Sequence, residues 1–146
     1  MKKIALAADH AGFSYKEAVR KHLETKGYAV SDFGAHVEDP SDDYPDYIRP
    51  AALAVSRNEC DAGVIFGGSG NGEAMLANKM PRIRCAVCWN VTTARLAKEH
   101  NNANIISIGQ RMIPLSTAIE IVDAWLEAEF QEGRHLRRIL QMENQA

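Results

Sequence analysis

The chain has 146 residues, 46% hydrophobic and 25% charged, with a formal net charge of -2. That suffices for one ordinary domain with its own core, held without disulfide or metal staples. The near-balanced charge excludes a polyanion-binding role, and no segment offers the roughly 20 apolar residues of a membrane-spanning helix. Asp9 and His10 cut the apolar run after Met1-Lys2-Lys3 too early for a signal peptide. Three cysteines, an odd number, fit a reducing compartment. The expected location is the cytoplasm.

The first strand is expected at Lys3–Ala8. Phe13–Lys26 follows with helical period, placing Val19, His22 and Leu23 on one face and ending at Gly27. Ala29–Phe33 reads as the second strand and the acidic, proline-containing stretch Gly34–Pro45 as a surface loop. Tyr47–Asn58 is the second helix, and because Pro50 is tolerated best in a first turn, the helix is expected to start near it. Strands at Ala62–Phe66, Arg84–Trp89 and Asn104–Ile108 then alternate with helices at Gly72–Lys79, Thr92–Asn101 and Leu115–Glu129, and Arg134–Glu143 is a terminal helix. Short apolar β-branched runs alternating with helices specify an α/β fold, with five parallel strands covered on both faces. Cys85-Ala86-Val87-Cys88 spells C-x-x-C, but positions three apart on a strand face opposite ways, so neither a disulfide nor a metal site is expected.

Chemistry in such a sheet belongs at the carboxyl ends of the strands. There the chain places Asp9-His10-Ala11-Gly12, Gly67-Gly68-Ser69-Gly70-Asn71-Gly72-Glu73 and Gly109-Gln110-Arg111. Four glycines in the six positions 67 to 72 expose backbone N–H groups at a helix amino terminus, a site for an anion or a developing oxyanion. The spacing matches neither the dinucleotide fingerprint nor the nucleotide-binding P-loop. Glu73 reads either as a first-turn carboxylate or as a base aimed into a pocket. Asp9-His10 reads as a helix cap with a solvated histidine or as a proton-transfer pair. His100 and Asn101 end a helix, where an imidazole can act as an acid near neutral pH. Arg134 and Arg138 are one turn apart and project together, as a solvated basic face or a phosphate clamp.

Taken together the motifs A-A-D-H-A-G (7–12), D-Y-P (43–45), G-G-S-G-N-G-E (67–73), A-N-K (77–79), E-H-N-N-A (99–103), I-G-Q-R (108–111) and G-R-H-x-R-R (133–138) resemble those of the family of ribose-5-phosphate isomerase B, which includes the allose- and galactose-6-phosphate isomerases. The resemblance covers nearly the whole chain. It implies a three-layer α/β/α sandwich with a Rossmann-like sheet over residues 1–146, and a homodimer with shared pockets, the helix from about 134 lying at the interface. Tetramers are compatible with it. It also implies aldose–ketose isomerisation without metal or organic cofactor. Asp9 and His100 are then expected to open the furanose ring, and Asn101 to steady the substrate. Gly68, Ser69, Gly70, Asn71 and Gly72 would hold the enediolate oxygen. His10, Arg111, Arg134 and Arg138 would clamp the phosphate, and Tyr44 would line the pocket. His100, Asn101 and Arg111 are expected from the partner chain.

Part of that family places a cysteine base directly after the third strand, where this chain has Gly67, and another part uses a glutamate shortly after it, as Glu73. The chain therefore resembles the glutamate branch, with Ser69 helping to shuttle a proton. Two alternatives stay open on the sequence: an isomerase of a six-carbon sugar phosphate, and a non-catalytic phosphate- or flavin-binding module of flavodoxin-like architecture.

Overall fold

The computed structural model describes residues 2–144. In chain order the elements are β1 (Lys3–Ala8), α1 (Phe13–Thr25), β2 (Ala29–Asp32), α2 (Pro45–Ser56), β3 (Ala62–Gly67), α3 (Asn71–Ala77), β4 (Cys85–Val87), α4 (Val91–Asn101), β5 (Ile105–Gly109), α5 (Leu115–Glu127) and α6 (Arg134–Glu143). All strand pairs are parallel, in the order β2-β1-β3-β5-β4.

Period two explains the layers, because successive strand residues feed opposite faces. Ile4, Leu6, Val64, Phe66, Ile106 and Ile108 pack with Val19 and Leu23 of α1, Ala94 and Ala97 of α4, and Ile121 and Trp125 of α5. Ala5, Ala7, Ile65 and Ile105 meet Ile48, Ala51, Ala52 and Val55 of α2 and Ala77 of α3. Cys85 packs on the second face and Cys88 in the first, so the sheet separates the C-x-x-C pair as expected.

Three expectations need correction. Helix α2 begins at Pro45, so Pro50 lies inside it rather than in its first turn. The buried stripe Ile48, Ala51, Ala52, Ala54 and Val55 holds the helix to the sheet and offsets the hydrogen bond the ring removes. Strand β4 is only three residues long, an edge strand paired on one side with β5. On α1, His22 is half-buried against Asp123 at 2.8 Å, and the inward position belongs instead to Lys16. Its fully buried ammonium lies 2.7 Å from Asp32 Oδ2, which neutralises the charge that burial would otherwise penalise.

Candidate active site

Strands β1, β3 and β5 lie side by side at the centre of the sheet, and the segments leaving their carboxyl ends converge. They enclose a cleft of about 370 Å³ lined by Asp9, His10, Tyr44, Gly68, Ser69, Gly72, Glu73 and Arg111, with Ala11 and Met112 completing the wall. The floor is tied by main-chain bonds: Gln110 N donates to Gly67 O at 2.8 Å and Arg111 N to Gly68 O at 3.0 Å. Ser107, fully buried in β5, donates its hydroxyl to Gly70 O at 2.7 Å and pins the turn. Gly70 caps α3 with φ +84°, a conformation glycine adopts without the Cβ penalty. Asn71 N donates to Ser69 Oγ at 3.2 Å, while Ser69 itself stays exposed at the mouth.

Glu73 starts in the first turn of α3 yet is only 5% exposed. A Cβ added to Gly67 would fall 2.2 Å from its Cδ and 2.3 and 2.4 Å from its oxygens. The carboxyl thus occupies the volume into which any side chain at position 67 would project. Burial raises the Glu73 pKa and the Asp9 charge adds to the rise, while the amides of Glu73 and Gly70 pull it down. A buried carboxylate so placed is suited to take a proton from a substrate in the cleft.

Asp9 is 8% exposed and accepts the Ala11 N–H at 3.0 Å. Helix α1 starts later, with Gly12 as its N-cap, so the capping role considered for Asp9 is not realised. His10 Nδ1 lies 2.7 Å from Asp42 Oδ1, a residue that no motif marks in the sequence. Asp9, His10 and Asp42 bring their ligand atoms within 4.8 Å of one another, but Asp9 and Asp42 already serve as hydrogen-bond acceptors and His10 Nδ1 as Asp42's partner. The Tyr44 hydroxyl stands 2.6 Å from where a Gly72 Cβ would lie, and Arg111 Nη1 2.9 Å from where a Gly68 Cβ would lie. Arg111 therefore lines its own chain's cleft, contrary to the expectation that a partner supplies it, because the turn after β5 folds back onto the glycine loop.

The remaining predicted residues lie outside this lining. Gly70 is buried, and Asn71 borders a neighbouring apolar groove with Cys88, Trp89 and Met112. His100 and Asn101 end α4. The His100 ring stacks on His135 of α6, centroids 4.3 Å apart and planes 10° from parallel. His135 is buried, and that burial, followed by His100, lowers its pKa. Arg134 and Arg138 are exposed on α6, while His135 and Ile139 face inward. Asn101 borders a groove of about 730 Å³ at the β4 edge, with Asn78, Arg84 and Cys85.

The Ribose/Galactose Isomerase family model matches residues 4–142. The chain belongs to this family. Among relatives, ribose-5-phosphate isomerase B of Mycolicibacterium paratuberculosis is 45% identical over 138 residues, 94% of this chain and 87% of that protein. The Escherichia coli ribose-5-phosphate isomerase B is 41% identical, over 95% of this chain and 93% of its own. The Thermotoga maritima enzyme structure superposes with a TM-score of 0.95 at 42% identity, covering 99% of both chains. That of Mycoplasma genitalium, with ribulose 5-phosphate bound, gives 0.94 at 39% identity, covering 97% of this chain and 93% of its own. The three-layer, Rossmann-like architecture expected from the sequence is the fold these proteins share. Among the described residues, no helix is long and apolar enough to cross a membrane.

Proposed function

We propose that the chain interconverts ribose 5-phosphate and ribulose 5-phosphate through an enediolate, with Glu73 as the base. The observation that carries this reading is the buried Glu73 carboxyl on the wall shared with Asp9, Ser69, His10 and Arg111, in a family whose relatives are ribose-5-phosphate isomerases. His10 and Arg111 place cationic groups at one side of the cleft for a phosphate, leaving the sugar carbons toward Glu73. Asp9 and His100 open the furanose, one taking the proton of the anomeric hydroxyl and the other giving one to the ring oxygen. Glu73 then removes the C2 proton and returns it to C1. The glycine-loop amides and Ser69 hold the oxygens on which charge develops, and a proton passes from the C2 to the C1 oxygen. One base and one oxyanion site suffice, so the route calls for no metal or organic cofactor.

His100, Asn101, Arg134 and Arg138 complete this cleft from a second subunit in a homodimer. Two features support that assembly: the four lie outside the cleft lining of their own chain, and α6 packs on α4 so that they gather around the His100–His135 stack. The setting is cytoplasmic metabolism, in keeping with three free cysteines. The test is a ketose-formation assay with ribose 5-phosphate, allose 6-phosphate and galactose 6-phosphate, with and without prior chelation. Turnover of ribose 5-phosphate that survives chelation and exceeds that of the six-carbon substrates is expected. Preference for a six-carbon substrate, no turnover at all, or recovery only with added metal would overturn it.

A further inference from the structure

The loop before α2 is exposed at Asp39, Pro40, Ser41 and Asp43, yet the Asp42 side chain turns inward and is only 5% exposed. Its Oδ1 meets His10 twice, accepting the backbone N–H at 3.1 Å and facing ring Nδ1 at 2.7 Å. One oxygen thus fixes both the main chain and the ring of a residue on the cleft wall. Because a carboxylate only accepts, Nδ1 carries a proton whether the ring is neutral or charged, and Nε2 becomes the ring's second donor when the imidazole is protonated.

We propose that Asp42 is a positioning residue of the cleft, holding the His10 ring through Nδ1 so that Nε2 is presented to the anionic group of the substrate. This rests on His10 belonging to the phosphate clamp. A side chain that only anchored the loop would need the backbone bond alone, whereas here the shorter contact goes to the ring. The surroundings act in the same sense. The Asp42 hydrogen bond raises the His10 pKa, Asp9 adds to the rise, and burial and Arg111 oppose it. Tyr47 of α2 also neighbours Asp42, with Asp39 and Asp46 near the same phenol; burial first and then Asp42 raise its pKa. The sign is that of a histidine kept cationic to higher pH than usual, into the range where a sugar phosphate is a dianion. Asp42 acts through His10 and touches no reacting atom.

The experiment has two arms. In the first, histidine-selective ¹⁵N NMR follows His10 in the ligand-free protein through a pH titration. The neutral ring should be the Nδ1–H tautomer in the wild type, and Asp42→Asn should lower its titration midpoint. A neutral Nε2–H tautomer in the wild type overturns the proposal without any variant, and an unchanged midpoint in a folded Asp42→Asn protein overturns it as well. In the second, KM for ribose 5-phosphate is measured against pH. Asp42→Asn should raise KM most between the two measured midpoints, where only the wild-type ring is cationic, and much less below both, with kcat little affected. Asp42→Glu should recover part of the loss. A lowered midpoint with an unchanged KM profile would show that His10 is not at the phosphate, and would overturn the proposal through that premise rather than through the Asp42 contact.

Discussion

Replacing Gly67 by alanine is expected to disable the site by displacing the Glu73 carboxyl, with every catalytic side chain still present. The added Cβ would lie 2.2 to 2.4 Å from the Glu73 carboxyl atoms, where ordinary contact requires about 3.5 Å. The carboxyl must therefore retreat by about 1 Å, and a displacement of that size at a reacting centre costs about 10²-fold in rate. Gly67 ends the buried strand β3, so alanine keeps the strand backbone and the protein should stay folded. Steady-state kinetics on ribose 5-phosphate should show kcat reduced about 10²-fold with KM little changed, and circular dichroism should show native structure. The double variant Gly67→Ala/Glu73→Gln should be no slower than Glu73→Gln alone, because both changes remove the same function. A folded Gly67→Ala enzyme with near wild-type kcat, or a double variant whose losses multiply, would refute this placement of the base.

The raised Glu73 pKa has a stability consequence. Its favourable contribution is full below the ordinary glutamate value of about 4 and is lost as pH rises through the raised folded value. Glu73→Gln should therefore melt higher than wild type near pH 7, with the difference closing toward pH 4; calorimetry showing the reverse contradicts it. Arg138→Ala should raise KM for ribose 5-phosphate about tenfold or more, and unphosphorylated ribose should be a poor substrate of the wild type. Unchanged kinetics would remove Arg138 from the clamp. Burial holds Cys85 and Cys60 in the thiol form and pushes Cys88 up to about 12, so iodoacetamide treatment of the native enzyme should leave turnover intact. Inactivation by alkylation at any of the three cysteines would reopen the choice of base.

How much the sequence disclosed depended on whether a residue's partner was local. Strands β1, β3 and β5 were legible because they are apolar on both faces, and the residues after them had only one place to go. Strand β4 was overdrawn: the apolar run continues to Trp89, but the strand pairs only with β5, and pairing ends at Val87. Nothing local marks Lys16 as buried, because its partner, Asp32, belongs to the next strand and arrives only through the fold. Asp42 was hidden the same way, in an acidic loop that reads as solvated until His10 is seen beneath it. Gly67 and Glu73 were each noticed in the sequence, but their competition for one volume is a three-dimensional fact. Arg111 shows the converse limit, since the resemblance suggested a partner chain and the turn after β5 supplies it locally.

The most direct test follows ribose 5-phosphate in deuterated water by proton NMR with wild type and Glu73→Gln at equal concentration. Wild type should form ribulose 5-phosphate with loss of the C2 proton and some deuterium entering C1. The glutamine variant should still bind substrate but be slower by about 10² to 10⁴ in both ketose formation and exchange. Ketose formation by Glu73→Gln at near wild-type rate would show that another group moves the proton.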